Sequence, residues 1–292
     1  MNDLETLRTA LLPEDPSHDV ADRSRHRLQN HMLVGRRRRR VGPIALGAGV
    51  LAAAVAAGVV VATLPGTPAP APSPQAAAPV AVTGQEVLLA AATVAAQVPA
   101  STGTYWHVKI NASETYEYWT KADGHVWFLG AKTRGRVMPL GELPFRLGGA
   151  EVTMAKIQTL PAEPAALRDW ITNLVAHSDI RTSGGPLTAD QRQQAVLEGL
   201  VSLVSTLPAP PAVRAASFRA IAAYPGVRAV GAVPGGQGLQ LPPPGGGLLV
   251  VDPATSRVNK TSTYVTADGA IATAAEGTTF GISAEWTDSL PK

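Results

Sequence analysis

The pattern of apolar and polar residues predicts two β-rich regions separated by a helical one. Aromatic and β-branched residues alternate with polar residues over 104–111, 114–120 and 124–131, and short turns separate the three runs. This pattern predicts an antiparallel meander. Over 86–98, apolar residues recur at helical spacing, which predicts a helix just before the meander.

The middle of the chain changes to helical periodicity. Prolines and a capping threonine followed by apolar residues predict helices over about 164–177, 188–207 and 211–224. Strand-like alternation returns from about 227, and residues 252–256 form a predicted tight turn between two strands. The order of strands, helices and strands predicts an α+β domain, in which a curved antiparallel sheet has one apolar face covered by an inserted helical block.

A long uncharged segment at 42–64 predicts a single transmembrane helix. The twenty-two residues from Pro43 to Leu64 carry no charge, and at ~1.5 Å per residue their helix spans about 33 Å, enough for a hydrocarbon core of ~30 Å. A cleaved secretory signal is an alternative, although its apolar region is typically only ~7 to 15 residues long. A buried helix of a soluble protein is the third interpretation.

Five consecutive arginines fix the predicted orientation of this helix. They immediately precede the segment and no comparable basic run follows it; they are Arg36, Arg37, Arg38, Arg39 and Arg40. Because basic residues favour the cytoplasmic side, residues 1–41 are predicted to be cytosolic and residues 85–292 to form an extracytoplasmic domain at the plasma membrane. A proline- and alanine-rich linker, 65–84, separates that domain from the lipid.

Small residues in the predicted membrane helix raise a further hypothesis. Ala54 and Gly58 have a small-xxx-small spacing that lets two such helices approach closely. This spacing suggests a homodimer formed through the membrane helix.

The N-terminal head is predicted to dock a partner. Its apolar residues recur at helical spacing in two short segments; they are Leu4, Leu7, Leu11, Leu28 and Met32. Two helices totalling about thirty residues bury too little surface to be stable alone. Their apolar faces therefore need the bilayer, each other or another protein.

Charge and cysteine content exclude several classes of function. The 292 residues include 25 Lys and Arg and 22 Asp and Glu. Nine of the basic residues and six of the acidic ones lie in 1–41, so the rest of the chain carries sixteen positive and sixteen negative side chains. Without an excess of basic residues, the larger part is not predicted to bind nucleic acid directly. The absence of cysteine excludes disulfides, thiolate catalysis and cysteine-ligated zinc.

No constellation of catalytic residues is apparent, so the sequence predicts a protein that is not an enzyme and needs no cofactor or metal. His107 and His125 can face each other across the meander, but no third ligand accompanies them. An exported hydrolase would require either a cluster of Ser, His and an acidic residue or a pair of carboxylates, and the sequence pattern indicates neither.

Aromatic residues are concentrated in the meander. The set is Tyr105, Trp106, Tyr116, Tyr118, Trp119 and Trp127. One interpretation is a core with cross-strand ladders. The other is a ligand-binding surface on the concave face of a bent sheet, suited to a lipid or another apolar molecule.

The order of these segments resembles an uncharacterised family of actinobacterial single-pass membrane proteins. The resemblance rests on LETLRTALLPEDPSHDVADRSRHRLQN, the basic run and apolar helix, TYWHVKI, LPAEPAALRDWI, APPAVRAASFRAIAAYPGVRAV and VVDPATSRV. Such proteins are commonly encoded beside extracytoplasmic-function sigma factors, and their outer domains are similar to the half-barrel sheets of lipoprotein carriers. The resemblance implies an anti-sigma-like regulator and supplies no catalytic residues.

Two functional hypotheses follow. The first is a transmembrane regulator or sensor whose cytosolic head binds a sigma factor while its outer domain responds to a signal. The second is an outer binding or carrier module for a lipid or other apolar ligand.

Overall fold

The computed structural model describes residues 82–292, apart from 183, 244–245, 267–269, 276 and 292. All of these residues belong to one compact unit, Gln75–Lys292. The predicted head, the predicted membrane helix and nearly all of the predicted linker lie outside the described residues. Within them, no helix combines the length and the apolar character that crossing a bilayer requires.

Five α-helices occur in the described residues, and their starts follow local sequence signals. They are α1 (Gly84–Gln97), α2 (Met154–Gln158), α3 (Pro164–His177), α4 (Ala189–Ser205) and α5 (Pro211–Ala222). Thr83 and Thr188 each close a capping box at the start of their helix. Proline begins α3 and α5, where its missing N–H leaves no helical hydrogen bond unmade.

Nine of the strands form one antiparallel sheet. The strands in chain order are β1 (Tyr105–Asn111), β2 (Thr115–Thr120), β3 (His125–Leu129), β4 (Met138–Glu142), β5 (Phe145–Leu147), β6 (Ala150–Val152), β7 (Arg181–Thr182), β8 (Gly185–Pro186), β9 (Arg228–Val233), β10 (Gly236–Gln240), β11 (Leu248–Asp252), β12 (Arg257–Thr261), β13 (Thr263–Val265), β14 (Ile271–Thr273) and β15 (Phe280–Thr287). The sheet order is β4-β3-β2-β1-β15-β12-β11-β10-β9, and the remaining strands pair as the hairpins β5-β6, β7-β8 and β13-β14.

The last strand joins two meanders into this sheet. β15 pairs with the whole length of β1 and, through Gly281 and Phe280, with β12. The first meander, β1–β4, and the second, β9–β12, are thereby held in one sheet although more than eighty residues separate them. The predicted turn at 252–256 joins β11 to β12 as expected.

The helices cover one face of the sheet, which we call the inner face. α4 lies at the centre of this layer, and every residue from Ala195 to Ser205 is buried, as in a helix surrounded by protein on all sides. Its close contact with the β5–β6 turn requires Gly148, because a Cβ there would lie 2.6 Å from the Ala195 carbonyl oxygen. Helix α5 packs beside α4, and α1 packs against α5. All three helices share one hydrophobic cluster with β10 and β11.

The structure confirms the predicted α+β class, the antiparallel sheet and the inserted helical block. The glycine-rich run 234–238 contributes to the sheet, because its last three residues begin β10. At Gly236 a Cβ would collide with the Val251 carbonyl oxygen, so the glycines permit close strand pairing. Strand β4 and the hairpin β5-β6 were not predicted from the sequence.

Candidate functional site

The six aromatic residues singled out from the sequence divide between the two faces of the sheet. Side chains alternate along a strand, and the register pairs Trp106 with Thr120, and His107 with Trp119. Trp106, Tyr116 and Tyr118 therefore lie on the inner face. Tyr105, Trp119 and Trp127 lie on the opposite, outer face. The set does not form a single surface.

The outer-face aromatics form a cross-strand ladder. It runs through matching positions on five neighbouring strands, which are occupied by Glu285, His107, Trp119, Trp127 and Pro139. The imidazole of His107 stacks on Trp119 with ring centroids 4.5 Å apart and an interplanar angle of 8°. Only 2% of Trp119 is exposed, so the ladder buries its own central ring.

Polar partners hold the ladder in register. One carboxylate oxygen of Glu117 lies within hydrogen-bond distance of Nε2 of His107, at 2.8 Å, and the other lies 3.3 Å from Nζ of Lys109. The Lys121 ammonium lies 5.6 Å from the ring centroid of Tyr105 and 5.4 Å from that of Trp127, within cation–π range. These contacts indicate that the outer-face aromatic residues stabilise the sheet.

The two histidines of the meander do not face each other. His107 contacts Glu117, whereas His125 lies beside Trp127 and contacts Asp123 at 3.2 Å and Glu142 at 3.8 Å. A hydrogen bond from the backbone N–H of His125 lowers the pKa of Asp123. In the described part of the chain, no three His, Asp or Glu side chains are grouped as metal ligands.

The inner face of β1–β3 carries a cavity of about 90 Å³. Its floor is formed by Val108, Ile110, Tyr118, Thr120 and Val126, which all point to the inner face. Four of these five residues present hydrocarbon or an aromatic ring. The floor is therefore mainly apolar.

Three separate segments form the walls of the cavity. They are the loop and strand at Leu143–Arg146, the end of α4 at Thr206 and Leu207, and the β13 hairpin at Tyr264–Thr266. Arg146 is the charged residue of this lining, and its Nη2 pairs with the Glu151 carboxylate at 2.9 Å. Its buried Nε has no hydrogen-bond partner. Because the charge of Arg146 is paired and the floor is mainly apolar, the cavity is suited to an uncharged group that is largely apolar.

Trp106 lies next to the apolar cavity and contacts one of its lining residues, Thr206. Its indole Nε1 donates a 2.7 Å hydrogen bond to the carbonyl oxygen of Thr206, so the buried polar atom has a partner. Its ring also packs edge-on against Trp286, with centroids 5.3 Å apart. Strand β1 is thereby fastened to the end of α4 next to the cavity.

Of the residues predicted to bind a ligand, Tyr118 alone lines the apolar cavity. The sequence did not indicate Phe145, Leu207 or Tyr264, which come from three distant parts of the chain. The residues predicted to bind a cytosolic partner, Leu4 to Met32, and the orienting arginines, 36–40, lie outside the described residues.

Comparison with protein-family models, with curated proteins and with solved structures found no match to this chain. The resemblance inferred from the sequence stays a prediction.

Proposed function

We propose that the protein is a membrane-anchored, non-enzymatic envelope protein whose outer domain binds an apolar group in the cavity on the inner face of β1–β3. The observation that carries this proposal is the mainly apolar lining of an accessible cavity of about 90 Å³. Drug-sized molecules usually occupy pockets of roughly 300–1,000 Å³, whereas a dry cavity of about 150 Å³ binds benzene. The occupant is therefore a short hydrocarbon portion, such as the end of an acyl chain.

The position of the cavity supports reversible binding. Its walls come from a loop, a helix end and a two-stranded hairpin, while its floor is a continuous sheet. Walls of this kind separate from a rigid floor at a lower free-energy cost than two sheet strands, because few ladder hydrogen bonds hold them. An acyl chain can thus enter beside β13 without disrupting the nine-stranded sheet.

Analysis of co-purifying molecules tests this proposal. The full chain, purified in detergent, is extracted with organic solvent and the extract is examined by mass spectrometry. The Val108→Trp variant fills the cavity, and the control Val230→Trp makes the same change at an exposed position of β9. We expect an acyl-containing molecule with the wild type and the control, and at least about tenfold less with Val108→Trp, since excluding a few methylenes costs more than 1.4 kcal/mol. Equal amounts in all three samples would contradict the proposal.

A second proposed function is regulation of a sigma factor by the head. It is supported by the apolar periodicity of Leu4 to Met32 and by the family resemblance, both of which are sequence observations. In cells expressing the full chain with the neighbouring sigma factor, we expect the two to co-purify. Leu7→Glu should abolish this, whereas Leu89→Glu, at an exposed position of α1, should not. Failure of the wild-type chain to capture the sigma factor would remove this function.

A further inference from the structure

A second cavity, of about 180 Å³, lies on the far side of the hydrogen bond between Trp106 and Thr206. It is formed where the start of α5, the β11–β12 turn and the ends of β1 and β15 come together. Its polar and aromatic lining includes Trp106, Gln158, Arg214, Ser256, Arg257 and Glu285. Unlike the apolar cavity, it is lined by two guanidinium groups, those of Arg214 and Arg257.

Arg214 has unused hydrogen-bond donors in this cavity. Its Nη2 donates to the Ser256 carbonyl oxygen at 3.0 Å, which uses one of the five N–H donors of a guanidinium. The buried side-chain atoms that lack a partner belong to Arg146, Glu198 and Ser217 among the described residues, so the remaining nitrogens of Arg214 are not sealed in the interior. They are available to a group that enters the cavity.

The positive charge here is not neutralised by the protein. Across the described residues, neither Arg214 nor Arg257 forms an ion pair with a carboxylate. Burial lowers the pKa of Arg214, and the nearby charge of Arg257 lowers it further. Two neighbouring cations, one of them desolvated, favour a bound anion, because an unpaired buried charge is unfavourable.

The start of α5 adds to this potential. Pro210 caps the helix without a side-chain hydrogen bond, and Pro208 to Pro211 line the cavity. The N-terminal end of a helix carries a partial positive charge. Glu285 also borders the cavity, but the register places its side chain on the outer face beside His107, so it does not offset the two guanidinium charges.

We propose that this second cavity binds a phosphate group. Two guanidinium forks match the oxygens of phosphate, and the cavity has room for it. The same chemistry is offered by inorganic phosphate and by a lipid headgroup. The site is distinct from the apolar cavity, and the proposal goes beyond the apolar-ligand function.

Calorimetric titration of the full chain in detergent tests the phosphate site and separates the two sources. One titrant is sodium phosphate, with sodium chloride at equal ionic strength as its control. The other is dihexanoyl phosphatidylglycerol, with dihexanoylglycerol, which has the same acyl chains without phosphate, as its control. Binding of sodium phosphate indicates a free-ion site, and binding of the phospholipid alone indicates a headgroup site; either supports the proposal. Binding of dihexanoylglycerol as strongly as the phospholipid would support the apolar cavity and overturn the phosphate site.

Matched variants locate the binding. Arg257→Gln and the control Arg228→Gln make the same change at exposed first residues of strands β12 and β9. We expect about tenfold weaker binding for Arg257→Gln, the size of one charged hydrogen bond, and no change for the control. No binding by the wild type, or equal weakening by Arg257→Gln and Arg228→Gln, would overturn the proposal.

Discussion

The two meanders contribute to one inner face, yet the helices cover them differently. In the second meander, β9–β12, the inner-face residues Leu239, Leu249 and Val251 are each 0% exposed. In the first, β1–β3, Val108 and Tyr118 are only half-buried. The same alternation of apolar and polar residues thus produces a sealed core at one end of the sheet and a cavity at the other.

The difference follows from where the helices lie. α1 and α5 share a hydrophobic cluster with β10 and β11, and α1 approaches so closely that a Cβ on Gly84 would lie 2.9 Å from the Arg228 backbone. The first meander instead faces a helix end, a loop and a hairpin. The cavity therefore lies where the helical layer stops. A fold can therefore provide a binding site simply by ending its covering layer early.

Matched valine truncations give the largest contrast between the two regions. Val251→Ala removes two methyl groups from a sealed core and should lower the free energy of unfolding by roughly 2 kcal/mol. Val108→Ala enlarges an existing cavity and should cost less than about 1 kcal/mol. Denaturant unfolding of the full chain in detergent, followed by tryptophan fluorescence, measures both, because all five tryptophans lie between Trp106 and Trp286. Equal losses would mean that the two regions are packed alike.

The carboxyl group of Glu198 is buried within α4, the central helix of the layer. Burial raises the pKa of Glu198, partly offset by a 2.8 Å hydrogen bond from Gln194. Because the folded state holds this proton more tightly than the unfolded state, stability falls as pH rises from the ordinary value of 4.5 through the folded pKa.

The Glu198→Met variant should not lose stability in this way as pH rises, because methionine does not ionise. One carboxylate oxygen of Glu198 is buried without a partner, so the variant should be more stable at pH 8 by about 1 kcal/mol. Near pH 4 the difference should shrink. Unfolding curves at both pH values provide the measurement. A variant less stable than the wild type at pH 8 would show that the charge is stabilised by groups around α4.

The turn between β11 and β12 provides the smallest expected effect. Ser256 has φ +54°, a left-handed conformation that costs a non-glycine residue energy. Ser256→Gly relieves this cost but adds freedom to the unfolded chain, so we expect a gain of about 0.5 kcal/mol. Ser256→Ala keeps the same backbone requirement and should give no gain. Thermal unfolding distinguishes them, and an equal response to both changes would exclude backbone strain as the cause.

The sequence predicted the regular elements well, because alternation and helix caps are local signals. Thr188 and Pro211, for example, mark the starts of α4 and α5. Strand β4 was missed since Pro139 and Gly141 interrupt its pattern and all five of its residues are exposed. For the aromatic set the sequence left two interpretations open, a core with cross-strand ladders and a single ligand-binding surface. Side chains alternate along β1 and β2, so Trp106 and Trp119 lie on opposite faces and the set is divided.

The cavities could not be predicted from the sequence. Phe145, Leu207 and Tyr264 meet only because the chain crosses from the first meander through the helices to the β13 hairpin. Arg214 and Arg257 are likewise brought together by the β11–β12 turn. Such contacts depend on tertiary packing, for which no local pattern exists.

Photo-crosslinking of the full chain in cell membranes can locate an acyl chain bound to the outer domain. A palmitic acid that carries a diazirine near its methyl end is added, and the crosslinked peptides are mapped by mass spectrometry. We expect adducts on the segments that line the apolar cavity, 108–126, 143–146 and 264–266. These adducts should be lost in Val108→Trp but not in Val230→Trp. Adducts that avoid these three segments, or that persist unchanged in Val108→Trp, would contradict the proposed function.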